Sequence, residues 1–243
     1  QERKIVAFHE VGHALVAGLL EGTDPVHKIT IVPRTMGALG YTMQLPEEEK
    51  YLVSKEEMLN QITVMLGGRA AEEVVFNMVS TGASNDIERA TQIARSMVTR
   101  WGFSKRLAPM QYEKDNEGSA YLGGSSTTMI SMSDETAKII DEEVTEIINS
   151  CYKKAQDLLE ANKDILENMK DALLKYETID ADQIDDLMNR KEVRPPRKVG
   201  DAKSSDQKSD DNSKDEKSND VKTEDKSTDN QSEKAKTENS DNA

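Results

Sequence analysis

The five residues HEVGH, at positions 9 to 13, hold two of the three histidines in this 243-residue chain. On a helix, positions four apart lie about 40 degrees apart around the axis and one turn along. His9 and His13 would therefore present both imidazoles on one side, where they can grip a single cation. Glu10 sits about 100 degrees round from His9, too far to join the pair but placed to flank a water beside it. That is the physical content of the H-E-x-x-H pattern: two metal ligands and a neighbouring base. Zinc brings the pKa of a bound water towards neutrality, and a glutamate can then take the proton and pass it to a departing amine.

An ordinary helix carrying two polar residues is the competing reading. Val6, Phe8, Val11, Ala14, Leu15 and Val16 would bury this segment. Two imidazoles and a carboxylate buried there without partners would be costly, so something must satisfy them. Gly12 costs about 1 kcal/mol against Ala in a helix interior, and its small size would admit another element or a substrate backbone. A catalytic zinc also needs a third protein ligand and an open position. His27 lies near the start of a strand with no spacing that returns it to the pair, and Cys151 falls on an apolar stripe that reads as core. The acidic candidates are Glu72 and Glu73 in GGRAAEE, and Asp86 and Glu88 in STGASNDIERAT. Spacing does not choose among them. Asp86 also suits the start of a helix, where the dipole favours an acid.

The elements that must position these residues follow from pattern. Residues 3–21 read as an amphipathic helix. Residues 26–34 (VHKITIVPR) and 38–45 (ALGYTMQL) read as two paired strands around TMG, with Pro33 near an end. Ser54 and Glu57 form a capping box ahead of Met58, Ile62, Met65 and Leu66 at helical spacing. Gly67 and Gly68 should either break that helix, leaving a short second one through Phe76, or pack it tightly against a neighbour. Asn85 and Glu88 offer a second capping box. Residues 104–132 read as an irregular, mobile loop. Ser133 should cap a long helix, followed by helices over 163–176 and 180–188. The whole predicts one mainly α domain over residues 1–193 with a small two-stranded β element.

The net charge of −14 argues against a nucleic-acid partner, which needs clustered Lys and Arg. A single cysteine cannot close an internal disulfide, which favours a reducing compartment. No run of about 18 apolar residues spans a bilayer, and no signal peptide opens the sequence. A helix already under way at the first residues suggests a piece of a longer chain. RPPRK, from 194 to 198, ends the helical pattern. Beyond it, residues 200–243 contain no Phe, Tyr, Trp, Leu, Ile or Met. Such a segment cannot bury enough apolar surface to offset its ordering entropy, so residues 194–243 read as a disordered, charged, low-complexity tail.

FHEVGHALV, ITIVPR, LGYTMQLPEEEKYL, LGGRAAEEVVF, STGASNDIERAT and MVTRWGFS, in this order, closely resemble the peptidase domain of the FtsH family of membrane-anchored AAA proteases. The resemblance covers about residues 1–190. It implies a helical zinc metallopeptidase domain with one zinc per chain, ligated by His9, His13 and Asp86, and Glu10 as the catalytic base. Glu72 matches an acidic position close to the metal and takes an auxiliary role, orienting a ligand imidazole. The resemblance further implies a homo-hexamer, an ATPase domain of the same parent chain that alone uses ATP, and membrane contact only through N-terminal segments outside this stretch. The parent would act at the cytoplasmic face of the cell membrane on unfolded or misfolded membrane and cytoplasmic proteins, while this stretch by itself is soluble. Leu39, Gly40, Tyr41 and Thr42 are the strand along which an extended substrate could add by backbone pairing; the alternative is a purely structural hairpin. The competing function is a non-catalytic helical ring-assembly module with a structural metal site.

Overall fold

Helix α1 (Glu2–Leu19) carries the HEVGH segment and buries Ala7, Phe8, Val11, Ala14 and Leu15 along its length. The computed structural model describes residues 1–33, 39–46, 50–115, 127–129 and 132–196. After α1, strands β1 (Val26–Thr30) and β2 (Tyr41–Gln44) pair antiparallel, with Ile29 opposite Thr42 and Thr30 opposite Tyr41. Helix α2 (Lys55–Phe76) starts at the expected capping box, with both reciprocal hydrogen bonds between Ser54 and Glu57 formed. It ends where Asn77 turns left-handed at a φ of 51°. A 3-10 turn over Thr81–Ala83 leads into α3 (Ser84–Thr99). Short strands β3 (Glu113–Asp115) and β4 (Thr127–Met129) pair with each other. Then come α4 (Asp134–Ala161), α5 (Lys163–Tyr176), β5 (Thr178–Asp180) and α6 (Ala181–Met188).

The mainly α architecture is as the periodicity predicts, and three local expectations need correction. The Gly67 and Gly68 pair does not break α2, which continues to Phe76. Asn85 does not cap α3: the helix begins at Ser84 with no side-chain cap, and the capping hydroxyl is Ser80, one element earlier. The sheet has a third member, with β5 beside β1 in the order β2-β1-β5 and Ile179 opposite Ile29. Three residues are too few for a period-two pattern to show. Glu177, left-handed at a φ of 61°, ends α5 and aims the chain into that strand. The stretch read as irregular, 104–132, includes the β3–β4 pair; the expected mobility there falls partly outside the described residues. The TMG turn and the tail from residue 197 onward also lie outside them. Among the described residues, no helix is long and apolar enough to cross a membrane.

Among the described residues, three apolar clusters hold the helices, the smallest being Val98, Tyr112 and Ile140 between α3 and α4. Phe8, Leu15, Ile29, Leu166, Leu173 and Ile179 join α1 and α5 to the sheet. Ile62, Leu66, Met97 and Cys151 join α2, α3 and α4, so Cys151 is core, as its stripe implies. The closest approach is between α1 and α2. A Cβ on Gly12 would lie 2.5 Å from the Gly67 carbonyl oxygen and 2.6 Å from the Ala71 Cβ, and one on Gly67 would lie 2.9 Å from the Gly12 oxygen. Two backbones touch here, and only hydrogen fits between them.

Helix propensity alone says that Gly12→Ala should stabilise the chain by about 1 kcal/mol. The crossing predicts the opposite sign, a loss of about 1–3 kcal/mol from overpacking, read as a lower urea midpoint at unchanged m-value. A second expectation concerns Asp186, buried at the end of α6, where Arg194 grips both carboxylate oxygens at 2.6 Å. The guanidinium draws the Asp186 carboxyl down from 3.8 to about 2. A depressed folded-state pKa adds stability that is complete above the unfolded value and fades as pH falls towards 2. Asp186→Asn should therefore lower the melting temperature at pH 6 and flatten its dependence on pH between about 4 and 2.

Candidate metal centre

His9 and His13 stand one turn apart on α1, with ring centroids 4.7 Å apart and planes at 80°. Their Nε2 atoms converge to 3.1 Å. Asp86, in the first turn of α3, brings Oδ2 to 3.4 Å from His9 Nε2 and 3.5 Å from His13 Nε2. Among the described residues, this is the one group of three His, Cys, Asp or Glu side chains whose donor atoms come close enough to share an ion. A tetrahedral ion with bonds of about 2.0–2.2 Å holds its ligands roughly 3.3–3.6 Å apart. Three donors already spaced like one face of that tetrahedron fit such an ion without rearrangement.

The outer ring nitrogens explain why the inner ones point inward. His9 Nδ1–H donates to Glu72 Oε1 at 2.8 Å, and His13 Nδ1–H donates to the Val64 carbonyl at 2.8 Å. With the proton on Nδ1, each neutral ring turns a lone pair from Nε2 towards the centre. Two lone pairs and a carboxylate oxygen then face one another, an arrangement that only a positive charge relieves. The electrostatics agree. Burial disfavours a charged His9, yet hydrogen bonds to Asp86 and Glu72, together with the negative charges of Glu10 and Glu72, outweigh it and raise the pKa above the usual value. Partial burial works against the Asp86 carboxylate too, but the two imidazoles hold it well below the usual range.

Glu72, only 2 % exposed, is fixed from behind: Ser80 donates its backbone N–H to Oε2 at 2.7 Å and its hydroxyl to Oε1 at 3.1 Å. The left-handed end of α2 at Asn77 returns the chain so that Ser80 can reach back. Glu10, largely buried, lies beside the pair, and the Thr42 hydroxyl donates to its Oε2 at 2.9 Å. Burial pushes the Glu10 carboxyl upward, against the pull of His13, the Thr42 hydrogen bond and His9.

The structure thus brings together His9, Glu10, His13 and Asp86, with Glu72 one hydrogen bond behind His9. The other acidic candidates lie elsewhere. Glu73 accepts from the Tyr152 hydroxyl and, at 3.1 Å, from the Gln156 amide, while Glu88 is exposed beside Gln92. His27 is exposed on β1 and stays out of the cluster, as does Cys151. Of the four tentative strand residues, Tyr41 and Thr42 lie in β2, one of the two outer strands of the sheet, and Leu39 and Gly40 precede it. Sequence reasoning missed four participants: Thr42 as partner of Glu10, Ser80 as partner of Glu72, the Val64 carbonyl, and Gly68. A Cβ on Gly68 would lie 2.5 Å from His13 Nε2 and 2.7 Å from His9 Nε2. The paired glycines were visible in the sequence; the imidazoles above them were not.

The chain belongs to peptidase family M41, matching it over residues 1–187. It is 56% identical over 204 residues to the ATP-dependent zinc metalloprotease FtsH of Clostridium perfringens, covering 84% of this chain and 28% of that protein. It is 50% identical over 203 residues to the protein of the same name from Photobacterium profundum, covering 82% and 29%. For the Thermotoga maritima protein of that name the figures are 48% over 184 residues, 76% and 30%. The chain therefore spans about three tenths of the length of the relatives it matches.

Gly68→Ala tests the cradle. Its methyl group would enter the space of both imidazoles, so affinity for a divalent ion should fall at least tenfold while α2 remains helical. Metal content after dialysis, alongside far-ultraviolet circular dichroism, reads the two quantities separately.

Proposed function

We propose that this chain is the zinc-dependent endopeptidase module of an ATP-dependent protease that degrades unfolded polypeptides. In this reading His9, His13 and Asp86 hold one zinc ion and Glu10 is the general base. The carrying observation is the set of three donor atoms 3.1–3.5 Å apart with a buried carboxylate alongside. The names of the relatives, which specify zinc and proteolysis, and the family match support the same reading. Zinc, when bound, supplies Lewis acidity towards a scissile carbonyl and acidifies a water.

The rest falls to the chain's own groups. Glu72 and the Val64 carbonyl hold the two histidines in the tautomer that leaves Nε2 free to ligate. Glu10 takes the proton of the attacking water at Oε1 and later delivers it to the leaving nitrogen. Burial raises its proton affinity towards what that exchange requires. The outer strand β2 offers backbone groups to an extended substrate, and pairing through the main chain reads conformation rather than side chains. That suits a protease of unfolded chains with low sequence specificity. The relatives are ATP-dependent and more than three times as long as the matched segment, which supports an ATPase domain within the same parent chain. We extend the proposal to a homo-hexamer working at the cytoplasmic face of the membrane on misfolded membrane and cytoplasmic proteins.

Glu10→Gln is expected to retain about one zinc per chain and to lose roughly 10² to 10⁴ in casein hydrolysis. Asp86→Asn should lose its zinc on dialysis. Undiminished hydrolysis by Glu10→Gln would reject the base. Zinc retained in Asp86→Asn but lost in Glu72→Gln would transfer the third-ligand role to Glu72. A fully zinc-loaded wild-type protein that never cleaves would leave only an assembly module.

A further inference from the structure

Strand β2 does something besides present an edge. Gly40, just ahead of the strand, and Thr42, within it, both meet Glu10. The Thr42 hydroxyl stands 2.9 Å from Glu10 Oε2 and also 2.9 Å from the Glu10 main-chain carbonyl. One hydroxyl proton can serve only one of these oxygens at a time: donated to Oε2 it fixes the carboxylate, while the main-chain contact places the Thr42 hydroxyl beside that residue. At Gly40, a Cβ would lie 2.9 Å from Glu10 Cγ and 3.0 Å from Oε1, with the Thr30 carbonyl oxygen at 2.8 Å on the other side. A glycine there leaves clear the space next to Oε1 that any larger residue would take.

We infer that Thr42 is the positioning residue for Glu10, holding Oε2 while Gly40 keeps Oε1 accessible to the reacting water. The inference deepens the proposed function and rests on Glu10 being its base. A glutamate has three side-chain torsions, and a carboxylate off its line of approach by about 1 Å can cost 10²-fold in rate. A single hydrogen bond from a neighbouring strand removes most of that freedom. The same geometry couples two events. The strand whose backbone would receive an extended substrate is the strand that holds the base, so substrate pairing that steadies β2 also steadies the Glu10 carboxylate. Thr42 acts through Glu10, so its signature is a change in turnover rather than in metal content.

The experiment compares Thr42→Val, which keeps the shape and loses the hydroxyl, with Thr42→Ser, which keeps the hydroxyl and loses the methyl. Both are made in the intact protein and assayed on a quenched fluorescent peptide of casein sequence, with zinc content measured in parallel. Thr42→Val should lower kcat by between about tenfold and 100-fold, with KM within about twofold and zinc unchanged. Thr42→Ser should recover most of that loss. In a Glu10→Gln background, Thr42→Val should have no further effect on kcat. Should Thr42→Val fail to fold, Thr42→Ala replaces it with the same expectations. A rise in KM with kcat preserved would assign Thr42 to substrate pairing alone and overturn the inference. Equal losses in the valine and serine variants would assign the effect to general packing at position 42 rather than to the hydroxyl and overturn it too, as would loss of zinc. The Glu10→Gln control separates the two levels. If that variant remains active, the base assignment fails; if it is inactive and Thr42→Val turns over normally, only the role of Thr42 fails.

Discussion

Where α1 crosses α2, the chain brings two backbones into contact at Gly12 and Gly67, and the depth of that crossing sets the positions of the groups around it. His9 and His13 flank the crossing on α1. Gly68 lies beneath their rings, Val64 lies one turn earlier on α2 and receives His13, and Glu72 lies one turn later and receives His9. A side chain at the contact would lift α1 away and lengthen both imidazole hydrogen bonds at once. The absence of two methyl groups thus maintains the orientation of two rings.

Held in that way, the rings create an electrostatic demand. Their inner nitrogens and the Asp86 carboxylate converge in a partly buried space, which favours positive charge. The raised pKa of His9 and the lowered pKa of Asp86 express the same preference in terms of a proton. Next to this pocket, Glu10 is shifted the other way by burial. Two carboxylates in one site therefore differ in character because of surroundings, not type: one is stabilised as an anion, the other is eased towards accepting a proton.

Much was legible beforehand. The spacing of His9 and His13 requires a shared face on any helix, and apolar residues at helical intervals around them require that helix to be packed. The caps at Ser54 and Ser133 are local chemistry, and both form as read. Where local chemistry had rivals, reading failed. Asn85 looked like a cap, but Ser80 had already turned the chain into the helix. The glycine pair permitted both a break and a tight crossing, and only the presence of α1 against α2 selects the second. β5 has three residues, and its pairing with β1 joins positions 28–30 to 178–180, a separation no local pattern encodes.

By itself, the sequence determined the two imidazoles, the neighbouring carboxylate and the helical frame carrying them, because periodicity and capping act over a few residues. It left four acids as candidates for the remaining position. Tertiary structure alone decided that Asp86 faces the rings while Glu72 stands behind one of them and Glu73 turns towards α4. It also brought Thr42 to Glu10 from another element. The reason is physical: bonds within one turn are fixed by rise and rotation per residue, whereas distances between α1, α2, α3 and β2 depend on how closely their packed faces can approach.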